Sequence, residues 1–313
     1  MSSVTILLAT YNGAPYLSEQ LDSLLAQTYT DWNLLIHDDN SGDETIKIIK
    51  EYIEHYPEKI MLIDDKTSYN SASANFTSLL KHVTTEYVMF CDQDDIWTST
   101  KIALTLEKMH TLEVNFPNSP LLVHTDLQVV DKELNTIANS YWDYQHLHPS
   151  FDQLNALLIQ NVITGCTVMI NQQLRIKALP IPNNVIMHDW WLGLVASSFG
   201  KIGYLEIATV LYRQHSNNDT GAVSFSIKTI IQKAFSLSEV NMHKYIRQAN
   251  LFLEQYTAKL SSDQKKLLRD FTQMENLSWL TSKKVLIKHK ILKQGLLRNI
   301  GLLLCSNNTT FKH

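Results

Sequence analysis

The sequence predicts an α/β fold in which a mainly parallel sheet, covered by helices on both faces, precedes a helical C-terminal region. Short apolar runs alternate with segments of helical period up to about residue 115, which is typical of a buried parallel sheet. Polar clusters follow three of these runs, at the strand ends where such sheets bind ligands. Beyond about residue 223 turn residues become rare and the pattern is helical.

The elements follow from these patterns in chain order. Four apolar runs are predicted as strands: 4–9 (VTILLA), 33–37 (NLLIH), 60–63 (IMLI) and 87–91 (YVMFC). Helical segments are predicted from Pro15 onward, over 44–56, near 74–83 and over 98–110. The stretch from 121 to 220 is mixed, with strands in PLLVHTDLQVV and GCTVMI and a helix over 188–199.

The composition limits the class of protein. The chain has 313 residues, 44% of them hydrophobic, and a net charge of −4, which suits folded domains and gives no support for nucleic acid as a partner. Its three cysteines are odd in number and far apart, which favours a reducing compartment. Neither a signal peptide nor a run of roughly 18 apolar residues is apparent, so we expect a cytoplasmic protein.

The cluster HDDNSGDE follows the second predicted strand. Asp38 and Asp39 can accept hydrogen bonds from a ligand, while the glycine lets the backbone turn. The alternative is a turn in which Asp43 caps the helix over 44–56. The preceding cluster, TYNG, is by itself no more than a strand-to-helix turn.

The cluster DQDD follows the fourth predicted strand and brings together Asp92, Asp94 and Asp95. Three carboxylates this close repel one another unless a cation or hydrogen-bond donors neutralise them. Oxygen ligands at i and i+2 suit Mg²⁺ or Mn²⁺, which also binds substrate phosphates. The alternative is a solvated turn that caps the helix over 98–110.

Six motifs stand in the order and spacing of one enzyme family: ATYNG, LLIHDDNSGD, FCDQDDIW, TGCT, HDWW and YRQHSNN. They resemble the inverting family 2 glycosyltransferases, and the likeness extends from residue 4 to about 221. The forms DQDDIW, MHDWW and LYRQHSNN look most like bacterial rhamnosyltransferases of cell-wall and capsular polysaccharide synthesis, which use dTDP-L-rhamnose. The resemblance implies a GT-A domain over 1–221 and a helical region over 222–313.

The resemblance implies roles on the nucleotide-sugar side. These residues are Thr10, Tyr11 and Asn12 along the nucleotide, Asp39 at the base with Asp38 and Ser41, Asn75 near the diphosphate or sugar, and Asp92 at the ribose or metal shell.

For the cation, Mg²⁺ or Mn²⁺, the resemblance implies Asp94 as the main ligand and His215 as a second contact, with Arg213 as a phosphate partner. Without the family pattern a lone histidine is usually structural. Asp95 is open between a supporting role and a helix cap.

The resemblance places the catalytic base at Asp189 in MHDWW. An inverting transfer needs a carboxylate that takes the acceptor's proton as its oxygen attacks. Trp190 and Trp191 can raise the pKa of this carboxyl by burial and stack on a sugar, and Gly165 of TGCT is assigned to the acceptor side with them. The alternative makes Asp189 the N-cap of a helix over 190–199, with both tryptophans in the core. Many family members have Glu where His188 stands, so its contact with substrate stays open.

Other activities remain to be compared with this one. A UDP-sugar is the main alternative donor, because the contact expected from Asp39 suits uracil and thymine alike. A nucleotidyltransferase that forms nucleotide sugars generally carries a glycine-rich basic loop after the first strand, and ATYNGAPYLSEQ has neither Lys nor Arg. A non-catalytic sugar-binding protein would need neither a metal cluster nor a separate acid.

The tail, residues 282–304, is predicted as one basic amphipathic helix. Its apolar face comprises Ile287, Ile291, Leu292, Leu296, Ile300 and Leu303, and its basic residues are Lys283, Lys284, Lys288, Lys290, Lys293 and Arg298. Such a helix can lie on an anionic bilayer, which suits a peripheral enzyme at the inner face of the bacterial membrane acting on a polyprenyl-linked saccharide acceptor. The alternative is a helix docked on the catalytic domain or on a second subunit of a homodimer.

Overall fold

The computed structural model describes residues 3–63, 65, 67–215 and 238–305 of the chain. Within these residues the strands are β1 (Val4–Thr10), β2 (Trp32–Asp38), β3 (Ile60–Leu62), β4 (Tyr87–Cys91), β5 (Ile96–Trp97), β6 (Leu121–Val130), β7 (Thr136–Ala138), β8 (Met169–Asn171) and β9 (Lys201–Arg213). They form one mixed sheet in the order β3-β2-β1-β4-β8-β6-β9-β5, with β7 paired to β6.

The first four strands pair in parallel, as predicted. Every residue of β4 is buried, and all but one of β1, because helices cover both faces of the sheet. The later strands depart from the prediction, since β8 runs antiparallel to both β4 and β6. The predicted strand GCTVMI is in part a 3₁₀ helix, Gly165–Thr167, and only its end enters β8.

The helices of the region before residue 200 are α1 (Ala14–Leu25), α2 (Thr45–His55), α3 (Ala72–Lys81), α4 (Lys101–Asn115), α5 (Tyr141–Gln145), α6 (Leu154–Leu157), α7 (Gln172–Ala178) and α8 (His188–Phe199). Pro15 lies in the first turn of α1, where its missing N–H costs nothing. Helix α4 begins three residues later than predicted, with Thr100 at its N-cap.

The chain divides into two compact units. The first contains the sheet, and the second combines Asp143–Val162 and Pro182–Ile186 with the C-terminal helices. The predicted boundary between residues 221 and 222 lies outside the described residues and stays a prediction.

The C-terminal region is helical, as predicted, with α9 (Ser238–Tyr256), α10 (Ser262–Thr272), α11 (Trp279–Lys288) and α12 (Leu296–Cys305). The prediction of one continuous helix over 282–304 is wrong. Lys290 and Gly295 have positive φ angles of 53° and 88°, which an α-helix cannot accommodate, and Ile291 between them is buried instead of lying on an exposed face. Within the described part of the chain, no helix has the length and apolar character needed to cross a bilayer.

Candidate active site

Three polar loops follow β1, β2 and β4 at the same edge of the sheet. Thr10 is the ladder partner of Asp38, and Leu8 is the partner of Cys91. Since these strands are parallel, the segments that follow them leave the sheet side by side. The sequence prediction that the polar clusters meet at one edge is therefore correct.

Asp38 organises the loop after β2. Its carboxylate accepts hydrogen bonds from the Thr10 hydroxyl at 2.7 Å, the Ser41 hydroxyl at 2.6 Å and the Ser41 backbone N–H at 2.8 Å. With so many donors inside the protein, Asp38 holds the backbone of both loops in place. Its predicted nucleotide contact is not tested by this geometry.

A second pair of hydrogen bonds links the same two loops. The Asn12 backbone N–H donates to the Ser41 hydroxyl, and the Asn12 side-chain oxygen accepts from the Gly42 N–H, both at 2.8 Å. Asn12 has a φ of 48°, which asparagine tolerates better than most residues. Tyr11 is 59% exposed beside it. The two loops thus form a prearranged surface with an aromatic ring on it.

Asp39 and Asn75 lie deeper. Asp39 is buried, donates its N–H to the Thr10 carbonyl at 2.8 Å, and accepts a short hydrogen bond from the Tyr69 N–H. Asn75, also buried, donates to the His37 carbonyl at 3.2 Å. Both residues stand close to the end of β2, and their ligand contacts remain predictions.

Gln93, which the sequence analysis did not single out, connects the loops after β1 and β4. Its amide oxygen accepts from the Tyr11 N–H and its amide nitrogen donates to the Tyr11 carbonyl, both at 2.9 Å. A methyl group on Gly13 would lie 2.2 Å from the Gln93 oxygen. The glycine of TYNG therefore admits Gln93, and that close approach is a signal visible only in three dimensions.

Asp94 and His215 meet at this edge although 121 positions separate them in sequence. Asp94 Oδ2 lies 2.8 Å from His215 Nε2, and the two side chains are 15% and 10% exposed. A carboxylate and an imidazole suit Mn²⁺, and a carboxylate suits Mg²⁺. The two residues predicted to bind the metal are brought together, and their donor set fits a divalent cation. The SNN that follows His215 lies outside the described residues.

A second group of possible ligands includes Cys166, which was not among the predicted site residues. Asp92, Asp95 and Cys166 each offer an atom, and these atoms lie within 4.8 Å of one another. Burial raises the pKa of Asp95 well above its usual range, with the charges of Asp94 and Asp92 adding to the effect, and burial likewise raises the pKa of the Cys166 thiol. A protonated thiol is a poor ligand for Mg²⁺ or Mn²⁺, so Asp94 and His215 fit such a cation better.

Asp95 and Lys101 support this group from inside the protein. Asp95 accepts from the Arg213 backbone N–H at 3.1 Å, so it ties β9 to the loop and is not the cap of α4. Lys101 is fully buried and donates to the Cys166 carbonyl at 2.9 Å. Burial lowers the pKa of Lys101 to about 8, and its ammonium group provides positive charge beneath the acidic loop.

Arg213 is 3% exposed and works inside the protein. It donates from Nε to the Asp94 carbonyl at 3.0 Å, from Nη1 to the Lys132 carbonyl at 2.9 Å, and from Nη2 to the Glu19 carboxylate. These contacts account for the guanidinium as a clamp on the acidic loop. The phosphate contact implied by the resemblance stays a prediction.

Asp189 lies in the first turn of α8. Met187, not Asp189, occupies the N-cap position, and Asp189 Oδ1 accepts from the Trp190 N–H at 2.7 Å. The capping alternative is thus wrong in its position. A methyl group on Gly165 would lie 3.7 Å from the Asp189 Cβ, so the residue assigned to the acceptor side does adjoin the proposed base.

The neighbours of Asp189 are buried and aromatic. The His188 ring lies 4.5 Å from the Phe76 ring and 4.9 Å from the Phe90 ring, between centroids, and burial lowers the pKa of His188 to about 3. Trp190 and Trp191 are buried as well. Core packing therefore accounts for His188 and for both tryptophans, and the acceptor roles of the tryptophans remain untested predictions.

Comparison with known proteins decides the family. The model of Glycosyl transferase family 2 matches residues 5–166, which is more than half of the chain. The chain belongs to glycosyltransferase family 2. It is also similar to dTDP-rhamnosyl transferase RfbG of Shigella flexneri, with 30% identity over 236 residues that cover 71% of this chain and 76% of that protein.

Solved structures confirm the GT-A fold of this family 2 glycosyltransferase. The mannosyltransferase PcManGT from Pyrobaculum calidifontis, in complex with GDP-Man and Mn²⁺, matches with a TM-score of 0.55 at 17% identity, over 93% of this chain and 86% of that one. TarS 1–349 of S. aureus in complex with UDP-GlcNAc matches with a TM-score of 0.52 at 14% identity, over 96% and 89%.

Proposed function

We propose that the protein is a divalent-metal-dependent, inverting rhamnosyltransferase that moves L-rhamnose from dTDP-β-L-rhamnose to a saccharide hydroxyl, giving an α-linked product. The observation that carries the proposal is the pair of Asp94 and His215, 2.8 Å apart beside the interlinked loops after β1 and β2. The dTDP-rhamnosyl transferase among its relatives supports the choice of donor.

The donor lies along the loops after β1 and β2 in this proposal. Tyr11 offers an exposed aromatic face along the nucleotide, and Asp39, held by Thr10 and Tyr69, takes the N3–H of the base. Asp94 and His215 would hold Mg²⁺ or Mn²⁺, and a cation bound there would supply positive charge for the diphosphate.

Asp189 acts as the base. It takes the proton of the acceptor hydroxyl while that oxygen forms a bond to the anomeric carbon from the face opposite the nucleotide. The bond from the anomeric carbon to the diphosphate oxygen breaks, and dTDP leaves with the electron pair. Gly165, without a side chain, leaves room for the acceptor beside this carboxylate.

A donor panel tests the proposal. Purified protein is incubated with dTDP-β-L-rhamnose, UDP-glucose, UDP-GlcNAc and GDP-mannose, each with a rhamnan-type oligosaccharide acceptor and Mn²⁺. We expect dTDP release and an α-rhamnosylated product from the first donor only. Turnover with a UDP-sugar alone would contradict the donor assignment, and release of pyrophosphate would indicate a nucleotidyltransferase.

We further propose that the C-terminal helices bring the enzyme to an anionic membrane surface carrying a polyprenyl-linked acceptor, at the inner face of the cell membrane. On α12 the apolar side chains Leu296, Leu297, Ile300 and Leu304 are exposed and recur at helical spacing. Lys284 and Lys290 are exposed as well.

The remaining basic residues contribute less than the sequence indicated. Lys283 is buried, Lys288 pairs with Asp270, and Arg298 donates to three backbone carbonyls. Insertion of the α12 face should therefore dominate over charge attraction.

Co-sedimentation with vesicles of anionic and of zwitterionic lipid tests this association. We expect wild-type protein to sediment with anionic vesicles, and the double variant Leu296→Ser, Ile300→Ser to lose most of this binding. Exposed Val114→Ser, on α4, is the matched control. Equal sedimentation of both variants, or a monomer–dimer shift in the double variant, would favour packing between subunits instead.

A further inference from the structure

We propose that Tyr16 is a positioning residue for the metal site: its ring holds the His215 imidazole toward Asp94. This inference rests on the metal role proposed for that pair. Tyr16 lies in the first turn of α1 and was not among the predicted site residues.

The Tyr16 ring contacts two residues at the end of β9. It stacks on the His215 imidazole with centroids 4.8 Å apart and an angle of 27° between the planes. The Arg213 guanidinium carbon lies 4.7 Å from the centroid of the same ring. Arg213 is the last residue of β9 and His215 lies two positions further on, and both side chains contact the same ring.

The contact with Arg213 fixes the Tyr16 ring relative to the acidic loop. The guanidinium donates to the Asp94 carbonyl and to the Glu19 carboxylate, and Glu19 stands on α1 one turn from Tyr16. One cluster therefore sets the position of the Asp94 backbone and the orientation of the His215 ring. A cation that needs both ligands then finds them already arranged, which lowers the entropic cost of binding.

The ring, and not the hydroxyl, performs this task. Among the described residues the Tyr16 hydroxyl has no hydrogen-bond partner. The contacts of Tyr16 with His215 and with Arg213 both involve its aromatic ring. Replacing Tyr16 by phenylalanine keeps the stacking surface. Replacing it by leucine keeps an apolar side chain but removes the flat face on which the imidazole rests.

The test is Mn²⁺ binding in the presence of dTDP, without turnover. The affinity is measured by electron paramagnetic resonance and by calorimetry. We expect Tyr16→Leu to weaken Mn²⁺ affinity about 10-fold or more, the scale seen when partners of metal ligands are removed. Tyr16→Phe should stay within about two-fold of wild type. Melting temperatures of all variants in EDTA establish that the fold is retained.

Asp94→Ala and His215→Ala separate the two proposals. If both lose Mn²⁺ affinity while Tyr16→Leu binds like wild type, the positioning role is overturned and the metal site stands. If Tyr16→Phe weakens binding as much as Tyr16→Leu, the argument from the ring face is overturned. Unchanged affinity in Asp94→Ala and His215→Ala would overturn the proposed metal site, and with it the role of Tyr16.

Discussion

The two ends of the candidate site carry their carboxylates in different surroundings. Asp94 is partly exposed and pairs with His215, in a loop clamped by Arg213 and Gln93. Asp189 is buried on α8, beside a histidine that lies between two phenylalanine rings. The surroundings of Asp94 are polar and partly open to solvent, whereas those of Asp189 are buried and largely aromatic.

The difference also separates what each end contributes to stability. Hydrogen bonds and an ion pair hold the Asp94 loop, each worth little net free energy but together fixing geometry. Around Asp189 apolar packing dominates, and neither ring nitrogen of His188 has a hydrogen-bond partner among the described residues. We therefore expect changes near Asp94 to alter ligand affinity, and changes near Asp189 to alter turnover or folding.

The largest expected effect concerns the end of the site at Asp94, where we propose that the metal binds. Asp94→Ala removes the carboxylate of the proposed pair, and we expect metal-dependent binding of dTDP to fall below detection in calorimetry. Glu54→Ala, an exposed change on α2, is the matched control and should bind like wild type. Full activity of wild-type enzyme in excess EDTA would contradict the metal role.

The next effect concerns the base end. Asp189→Asn keeps the size of the side chain and an oxygen for the Trp190 N–H, but an amide cannot take a proton from the acceptor. We expect turnover to fall at least ~10²-fold, the usual scale for loss of a general base, with donor affinity unchanged. Turnover within a few-fold of wild type would move the role to another residue.

A third measurement sharpens the comparison through pH. Burial lowers the pKa of His188 to about 3, so below the unfolded pKa of about 6.5 the unfolded chain binds a proton that the folded chain does not. The free energy of unfolding should therefore fall as the pH drops, by roughly 1.4 kcal/mol per pH unit for this histidine.

We expect the free energy of unfolding, measured in denaturant titrations, to depend less on pH in His188→Phe than in wild type. Between pH 6.5 and 5 it should fall by about 2 kcal/mol less in the variant. At pH 8 the pH-dependent contribution is absent, so measurements there give the packing effect alone. Burial also lowers the pKa of His124 to about 3. The variant His124→Phe therefore provides a second, independent test. Parallel pH profiles for wild type and both variants would show that these rings do not stay neutral in the fold.

The smallest effect returns to the metal end. Gln93→Ala removes both hydrogen bonds to the Tyr11 backbone. Because the site is partly exposed, we expect the free energy of donor binding to weaken by only about 1 kcal/mol. We expect the KM for the donor to rise roughly five-fold with little change in kcat. A fall in kcat at unchanged KM would place Gln93 on the reaction instead.

Much of this molecule was predictable from local patterns. The strands β1, β2 and β4 and the bounds of α8 agree with the sequence predictions within a residue or two, because continuous apolar runs and helical periods report burial directly. The family, and the meeting of three polar clusters at one sheet edge, follow from the motifs and from the parallel order of these strands.

The sequence by itself therefore determined which residue types stand at the ends of the buried strands, since the chain order of apolar runs and polar loops is a local property. Only the tertiary structure decided which long-range partners those residues have. The pairing of Asp94 with His215, the Arg213 clamp and the ring of Tyr16 join positions far apart in sequence. The tertiary structure also decided that the predicted tail helix is interrupted at Lys290 and Gly295. Burying Ile291 in the C-terminal unit required a turn that helical periodicity does not reveal.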